Sequence, residues 1–318
     1  MRAAVIGAGV AGLVCARELA ARGAQVTVFE KARGPGGRLS TRRAGELRFD
    51  HGCSGLAHGS WLGELDARDV PLGEFAGRLV PEPAMSALCR ALAAGLDLRT
   101  SARVGAIAAR AGGGFTLEDA DGAVLGAFDR VAVTAPAPQA AGLLADAAPM
   151  LAEVAAGAAY SPCWAVMAAW DAPLAIAADW HRDPKATSAI AWAVRESAKP
   201  RRAAGERWTI QAGPGWSDAH LEDHEDAVAR ELLSALGVTL LAGPLPPPEV
   251  LLAHRWRYAR VSAPLPQPCL VDARAGIGAG GDWCAPMLEP AALEADQDGA
   301  GVPQALASGR ALAAALAA

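Results

Sequence analysis

The sequence lacks any run of about 20 consecutive apolar residues, the length that a membrane-spanning helix needs. Hydrophobic residues nevertheless make up 52% of its 318 residues, which is enough for a sizeable core and excludes a disordered or fibrous chain. The apolar start, residues 1–23, carries glycines that suit a strand, a turn and a helix, so we interpret it as part of the fold and not as a signal peptide. These absences predict a cytoplasmic protein with no membrane partner.

An excess of positive charge is also absent, because the formal net charge is -5. Nucleic acid is therefore not expected as a partner. The cysteines show neither a CxxC pair nor a Cys/His spacing typical of a metal site, and no catalytic triad is recognisable. We expect free thiols and no metal. The six cysteines are Cys15, Cys53, Cys89, Cys163, Cys269 and Cys284.

What the sequence does contain, at its start, is a β-α-β pattern of about thirty residues, a length typical of one such unit. "RAAVI" is an apolar strand, "VAGLVCARELAARG" has helical periodicity, and "AQVTVFE" alternates as a second strand. Such a unit has parallel strands and a right-handed crossover. The pattern predicts an α/β domain of the Rossmann type.

The rest of the chain divides into segments of different character. We predict a helix over 85–95, strands with turns at 112–114 and 121–122, and a helix over 138–157. Six of the nine tryptophans then lie between Trp164 and Trp216. The alternating stretches over 160–257 predict an antiparallel sheet, interrupted by one charged helix over 217–236. Apolar "AGIGAGGDW" and a final helix return to the style of the first domain.

These segments predict an interleaved α/β architecture, in which an α+β substrate domain is inserted into a nucleotide-binding domain. We assign residues 1–60, 95–150 and 258–318 to the nucleotide-binding domain, and residues 61–94 and 151–257 to the substrate domain.

Three glycines follow the first strand in the spacing G-x-G-x-x-G. Gly7 permits the tight turn, Gly9 lets a pyrophosphate approach the backbone, and Gly12 allows the helix to pack closely on the strand. The phosphates then lie at a helix N-terminus, which favours anions. Glu30, at the end of the second strand, can accept hydrogen bonds from both ribose hydroxyls, and an acidic residue there disfavours a 2′-phosphate. This pattern predicts dinucleotide binding.

The choice between FAD and an NAD(P)-binding dehydrogenase depends on two later segments. In "KARGPGGRLSTRR" a guanidinium can bridge the oxygens of a pyrophosphate, and the glycines before Arg38 make room for it. For Arg42 and Arg43 a solvated face is an equal alternative. Asp282, at the end of the strand in "AGIGAGGDW", can bind a ribityl hydroxyl, which NAD lacks, or can serve as a helix cap. Both segments favour FAD.

Six stretches together resemble the renalase-type FAD-dependent oxidoreductases of the amine-oxidase flavoprotein superfamily: "GAGVAGL", "FEKARGPGGRLSTRR", "VTAPAPQA", "SPCWAVMA", "AHRWRYAR" and "GDWC". The resemblance implies a para-hydroxybenzoate-hydroxylase-like fold with noncovalently bound FAD. It also implies a set of FAD contacts. They are Gly7, Gly9, Gly12, Glu30, Lys31, Gly37, Arg38, Val104, Gly281, Asp282, Gly301 and Val302.

The same resemblance implies that the flavin accepts a hydride from a small dihydronicotinamide-type or amine donor, and that dioxygen reoxidises it to give hydrogen peroxide. Trp164 and Trp256 lie in the stretches most like the family and are candidate walls of the pocket, although core packing is an equal alternative for each. His51 and Cys53 follow "RFD", where the family chain passes the flavin, and are further pocket candidates. No residue is assigned as catalytic.

Two segments depart from the family pattern. Residues 53–88 are shorter than usual, and residues 285–301 look like an insertion. Both would border the substrate cavity, so the resemblance does not transfer the substrate. A different amine or alicyclic substrate, a flavin-binding protein with a degenerate redox site and a plain NAD-dependent dehydrogenase remain open alternatives.

Overall fold

The computed structural model describes residues 1–65, 69–284 and 301–318. In chain order these residues form the strands β1 (Arg2–Ile6), β2 (Gln25–Phe29), β3 (Arg42–Ala44), β4 (Leu47–Phe49), β5 (Leu72–Phe75), β6 (Arg78–Pro81), β7 (Asp97–Arg99), β8 (Val104–Ala109), β9 (Phe115–Asp119), β10 (Val124–Phe128), β11 (Arg130–Val133), β12 (Ala159–Trp170), β13 (Trp180–Arg182), β14 (Trp192–Arg195), β15 (Glu206–Gln211), β16 (Val250–Ala263), β17 (Leu270–Asp272) and β18 (Ile277–Ala279). Their helices are α1 (Val10–Ala21), α2 (Ser86–Ala93), α3 (Ala137–Leu144), α4 (Pro149–Ala155), α5 (Pro214–Ala219), α6 (Glu225–Leu241) and α7 (Val302–Ala317).

A six-stranded sheet in the order β17-β18-β11-β1-β2-β7 forms the centre of the first layer. Its inner pairs are parallel, and β1 and β2 are short apolar runs buried over four of five residues, as expected for strands covered on both faces. Helices α1 and α7 cover one face. These two helices approach so closely that a Cβ on Gly309 would lie 2.4 Å from the carbonyl oxygen of Ala11. The three strands β8–β10, with α3 and α4, share the core of the other face.

A five-stranded antiparallel sheet in the order β13-β14-β15-β12-β16 forms the second unit. Helix α6 covers one face of it, where Trp164, Trp208 and Leu232 share a core. On the opposite face Phe49, from the β3–β4 hairpin, packs against Met167 and Ala169. This contact packs the β3–β4 hairpin, which follows β2 of the six-stranded sheet, against β12 of the five-stranded sheet.

The predicted fold class is confirmed, since a Rossmann-type sheet and an antiparallel-sheet unit are both present. Two predicted helices are each divided into two shorter ones, so those predictions were wrong. The helix expected over 217–236 is instead α5 followed by α6. Helix α6 begins at Glu225, because His224 caps it by accepting a hydrogen bond from the Asp226 N–H, and it ends at Leu241. The helix expected over 138–157 is α3 and α4, and Pro149 begins the second.

The domain division remains a proposal that the packing refines. Strand β16 runs through position 258, so the proposed boundary lies within a strand. Helix α2, assigned to the substrate domain, contributes Leu88 and Leu92 to the core around α1. In the described part of the chain, no helix has the length and hydropathy to cross a bilayer.

Candidate functional site

The turn between β1 and α1 shows three different requirements for its three glycines. Gly7 has a φ of +112°, which favours glycine. A Cβ on Gly12 would lie 2.0 Å from the carbonyl oxygen of Gly7 and 2.5 Å from Oγ1 of Thr134. Gly9 has an ordinary φ of -81°, and a Cβ there would meet nothing within 4 Å. Packing therefore requires Gly7 and Gly12, whereas Gly9 leaves the outer side of the turn open to a ligand.

Glu30 lies at the carboxyl end of β2 and is only 7% exposed. Its Oε2 accepts a hydrogen bond from the Ala8 N–H at 2.9 Å, and its Oε1 accepts one from the Ala32 N–H at 2.7 Å. A carboxylate has about four acceptor positions, so two hydrogen bonds leave capacity for two ribose hydroxyls. Glu30 thus fixes the glycine turn and can still bind a nucleotide.

The predicted adenosine-side residues surround Glu30. Lys31 is exposed and donates to Oε1 of Gln139 at 3.1 Å. The backbone N–H of Ala102 donates to the carbonyl oxygen of Glu30 at 2.9 Å, and β8 then begins at the buried Val104. The residues that the resemblance assigned to this end of the cofactor are therefore close together in the fold.

The two glycines before Arg38 place their loop directly against the glycine turn. The N–H of Gly36 donates to the carbonyl oxygen of Ala8 at 2.9 Å. Gly37 has a φ of +53°, and a Cβ on it would lie 3.4 Å from Cα of Gly9. Glycine at both positions allows this close approach of two backbone segments.

Arg38 and Asp282 bind each other. Nη1 and Nη2 of Arg38 donate to the two carboxylate oxygens at 2.7 and 2.6 Å, and Nη1 also donates to the carbonyl oxygen of Ala259 at 3.2 Å. Gly301 caps α7 in the left-handed conformation, where a Cβ would lie 2.6 Å from Oδ2 of Asp282. The sequence interpretation gave Arg38 and Asp282 separate FAD contacts, but the structure joins them at the N-terminus of α7, next to the buried Val302.

The end of β18 is held by backbone and side-chain hydrogen bonds. The N–H of Gly281 donates to Oγ of Ser308 at 2.9 Å, and the indole of Trp283 donates to the carbonyl oxygen of Ala135 at 3.1 Å. Burial, together with the nearby Cys269 and Asp282, raises the pKa of the Cys284 thiol to about 12. Cys284 is therefore a protonated thiol at neutral pH, which suits noncovalent binding of the cofactor.

One row of side chains crosses the five-stranded sheet on the face opposite α6. Strand register aligns Trp192 with Gln211, Gln211 with Ala165, and Ala165 with His254. Paired residues in a sheet point to the same face. The small Ala165 therefore separates two larger groups, and we call these four residues the sheet row.

A cluster of rings covers one end of the sheet row. The ring of His51 lies 5.0 Å from that of His254 and 5.1 Å from that of Trp256. The Trp256 indole donates to the carbonyl oxygen of His51 at 3.0 Å. His51 is buried, and its Nδ1 has no hydrogen-bond partner among the described residues. Burial, followed by His254 and Arg42, lowers the pKa of His51 to about 3, so the imidazole is neutral at pH 7.

The structure separates the other pocket candidates from this cluster. Trp164 is next to Cys163 in β12, so alternation turns it to the α6 side, where its indole donates to the carbonyl oxygen of His220 at 2.9 Å. This agrees with the alternative that Trp164 is a core residue. Cys53 is buried, and its thiol donates to the carbonyl oxygen of Gly55 at 3.1 Å. Sequence reasoning missed Trp192, Gln211 and His254. Alternation along the strand could have indicated His254, two positions before Trp256, whereas the positions of Trp192 and Gln211 depend on strand register.

Buried charges lie immediately beside His51. Lys199 Nζ binds Oδ2 of Asp50 at 3.1 Å and Oε2 of Glu196 at 2.9 Å, and Arg202 binds the same Asp50 oxygen at 2.8 Å. Although burial opposes ionisation, Lys199 and Arg202 lower the pKa of Asp50 to about 2. The Lys199 side chain is completely buried. Arg42 and Arg43 remain exposed.

Two features test whether these residues fit FAD. Gly9 leaves open space beside a helix N-terminus, as a pyrophosphate requires. On α7, Oε1 of the buried Gln304 has no hydrogen-bond partner among the described residues, so an acceptor is available in the first turn of the helix that Gly301 caps. The residues fit the cofactor. The fold and this site define an FAD-dependent oxidoreductase, and the comparisons with known proteins identify its family.

Residues 59–317 match the flavin-containing amine oxidoreductase family, and residues 5–64 match the NAD(P)-binding Rossmann-like domain. The chain therefore belongs to the flavin-containing amine oxidoreductase family. The predicted enzyme class, an FAD-dependent oxidoreductase, and the predicted cofactor, FAD, are both confirmed.

Solved structures share the fold over nearly the whole chain at low identity. Cyclohexylamine oxidase from Brevibacterium oxydans IH-35A has a TM-score of 0.68 and 12% identity, with 99% of this chain and 98% of that chain covered. Putrescine oxidase bound to putrescine has a TM-score of 0.66, 14% identity and the same coverage. A provisionally named protoporphyrinogen oxidase from Exiguobacterium sp. 255-15 has a TM-score of 0.70 and 14% identity, again with 99% and 98% covered.

Similarity in sequence to well-described relatives is confined to a short stretch. A 4,4'-diapophytoene desaturase of Staphylococcus haemolyticus (strain JCSC1435) is 52% identical over 52 residues. The corresponding desaturase of Staphylococcus aureus (strain Newman) is 46% identical over 52 residues. In both cases the match spans 16% of this chain and only 10% of the relative's length, so it carries no substrate to this protein.

Proposed function

We propose that the protein is a renalase-type oxidase that takes a hydride from a small, planar dihydronicotinamide-type donor. The observation that carries this proposal is the sheet row with its ring cluster. It combines the ring of Trp192 with that of Trp256 in the ring cluster, and the row places Gln211 and the small Ala165 between Trp192 and that cluster. An aromatic wall of this kind suits a planar ring, which stacks on it with little polar cost.

The charge of the wall favours a neutral or anionic donor over an alkylammonium ion. On the face opposite α6, the strand residues aligned with the sheet row and its neighbours include Arg182 and Arg207. No aspartate or glutamate of the described strands β12–β16 pairs on this face. His51 is held neutral by burial, so it adds no charge. The carboxylates nearest to this face, Asp50 and Glu196, are already paired with Lys199 and Arg202. A cationic substrate would therefore find little opposite charge there to offset its loss of water.

When bound, FAD would accept the hydride at its N5 atom and return the electrons to dioxygen, which leaves as hydrogen peroxide. The chain's own residues bind and orient. The pyrophosphate would lie against Gly9 and the N-terminus of α1, and Glu30 would accept from the adenosine ribose. The Arg38–Asp282 pair and Gly301 would hold the ribityl and flavin end at the N-terminus of α7, whose dipole favours negative charge there.

A second candidate is oxidation of an amine. Two of the structural neighbours are named for amines, cyclohexylamine and putrescine. Aromatic rings can also hold a neutral amine. This alternative requires that the deprotonated amine binds, because the wall lacks a carboxylate.

One experiment tests both candidates. The FAD-loaded protein is mixed anaerobically with the 2- and 6-dihydro isomers of NAD(P), and separately with cyclohexylamine and putrescine, while flavin absorbance is followed. We expect bleaching by a dihydronicotinamide isomer, and hydrogen peroxide when dioxygen is readmitted. Bleaching by the amines alone would establish the second candidate. Absence of bleaching by any of them would contradict both and favour a flavin-binding protein with a degenerate redox site.

The cytoplasmic location also remains a proposal. All six cysteines lie in described residues and are unbridged, as in a reducing compartment. Of the segment 285–301, which we expected as an insertion beside the cavity, residues 285–300 lie outside the described residues.

A further inference from the structure

Gln304 is the third residue of α7 and belongs to the stripe of that helix that faces the carboxyl end of β18. Ser308, one turn later, accepts from the Gly281 N–H at 2.9 Å. Leu312, one turn further, lies 2.8 Å from the position of a Cβ on Gly278. Because helix residues four apart share a face, Gln304 continues this stripe beyond the end of the strand. It therefore stands over the edge of the sheet where dinucleotides bind.

The side-chain amide of Gln304 is buried but not satisfied. The residue is 7% exposed, and its Oε1 has no hydrogen-bond partner among the described residues. Two polar side chains of the same region have partners of their own, since Asp282 accepts from Arg38 and Oγ of Ser308 accepts from the Gly281 N–H. A buried acceptor without a donor destabilises a protein, so its retention points to a donor supplied by a ligand.

We propose that Gln304 binds the imide edge of the flavin ring, at the N3–H group that two carbonyls flank. A side-chain amide presents an acceptor and a donor side by side, which complements such an edge. The pyrophosphate cannot satisfy Oε1, because it offers no hydrogen-bond donor at neutral pH. The ribityl hydroxyls are the competing donors. This proposal rests on the FAD cofactor and not on the identity of the hydride donor.

The test is a double-mutant cycle in which residue 304 of the protein and the N3 atom of the flavin are changed separately and together. Apoprotein is titrated with FAD, with FAD methylated at N3 and with 2′-deoxyribityl FAD, and the dissociation constants are read from flavin fluorescence. Wild type should bind the N3-methyl analogue about tenfold more weakly than FAD, which corresponds to about 1.4 kcal/mol. Gln304→Ala should bind FAD about tenfold more weakly and should no longer discriminate against the methyl group. If Gln304→Ala still discriminated against the N3-methyl analogue, the proposal would be overturned. It would also be overturned if the variant lost discrimination against the 2′-deoxyribityl analogue alone.

A second variant separates ligand binding from folding. Gln304→Met keeps the length of the side chain but removes the unsatisfied oxygen. We expect the apoprotein to melt at a higher temperature while the affinity for FAD falls. A residue with only a structural role would lower both, and that result would also contradict the proposal. The matched control is Gln25→Ala, which removes an exposed side-chain amide at the first residue of β2. It should change neither the melting temperature nor the affinity for FAD.

Discussion

Arg38 and Asp282, which are 244 positions apart in the sequence, form a two-pronged ion pair with N–O distances of 2.7 and 2.6 Å. The pair connects the loop after β2 to the loop after β18, directly below the cap of α7. The side chain of Asp282 is only 4% exposed, so its end of the ion pair is largely shielded from water. Two segments that are remote in the sequence therefore stabilise each other at the N-terminus of α7.

Arg38→Lys should weaken FAD binding although it keeps the positive charge. An ammonium group cannot replace the planar fork, so Asp282 loses one of two charge-assisted hydrogen bonds. We expect the FAD dissociation constant to rise at least tenfold, about 1.4 kcal/mol, in a fluorescence titration of the apoprotein. Arg22→Lys, in an exposed ion pair with Glu18, is the control and should have no effect. Equal affinity of Arg38→Lys and wild type would argue against the role of the fork.

Gly9→Ala and Gly12→Ala should fail in different ways. A Cβ on Gly9 meets nothing within 4 Å, so the apoprotein should melt as wild type does while FAD binding weakens at least about tenfold, because the methyl group occupies the pyrophosphate's approach. A Cβ on Gly12 would overlap the carbonyl oxygen of Gly7, and we expect a loss of about 3 kcal/mol in the unfolding free energy of the apoprotein. Denaturant melts and FAD titrations of both variants check this contrast. Normal FAD affinity in Gly9→Ala would show that the open side of the turn is not the binding surface.

Glu30→Gln should reduce FAD affinity about tenfold. One of its two oxygens becomes an amide N–H₂ group, which cannot accept from Ala8 or Ala32 and binds ribose hydroxyls less strongly than a carboxylate does. The measurement is flavin retained after gel filtration together with a dissociation constant. Glu18→Gln, on the outer surface of α1, serves as the matched control. Full flavin occupancy of Glu30→Gln would refute the assignment.

Lys199→Met should destabilise the protein by about 3–5 kcal/mol, because it leaves the buried Asp50 and Glu196 with too little positive charge. Urea unfolding of the FAD-free protein measures the change. The control is Arg22→Met, whose exposed pair with Glu18 is expected to contribute less than about 1 kcal/mol. A change in Lys199→Met as small as that of the control would mean that Lys199 is not essential to the buried charges.

His51 should make the protein less stable in mild acid. Its pKa is about 3 when folded, against 6.5 for an exposed histidine, so its contribution is present above pH 6.5 and is lost as the pH falls towards 3. Between pH 7 and pH 5 the loss should be about 2 kcal/mol. His51→Gln removes this titration, and its unfolding free energy should fall less over the same interval. Identical pH dependence in the two proteins would contradict the assignment.

The local elements of the first domain could be predicted because each depends on residues adjacent in the sequence. The β-α-β unit, the hairpins with turns near Gly113 and Gly122, and the last helix all lie where their patterns predict. The breaks after α3 and α5 were missed. Helical periodicity continues across both breaks. The starts of the helices that follow them, α4 and α6, depend on Pro149 and on the cap at His224.

The candidate site divides in the same way. In its cofactor half the geometry of the turn could be predicted, since Gly7, Gly9, Gly12 and Glu30 lie in or beside one short turn between two elements, whereas their contacts with FAD stay a prediction. Its substrate half could not, because the orientation of Trp164 and Trp256 depends on strand register and sheet order. Alternation places Trp256 beside His51 and sends Trp164 into the α6 core.

By itself, then, the sequence determined a Rossmann-type domain and its glycine turn, because hydrophobic periodicity and backbone freedom are local properties, and the family resemblance of its motifs added the choice of FAD over NAD. Only the tertiary structure decided that Arg38 binds Asp282, that Lys199 is buried with Asp50, and that Gln304 has an unsatisfied acceptor. These relationships join residues more than 140 positions apart or depend on burial. Neither distance in space nor removal from water can be read from the order of residues alone.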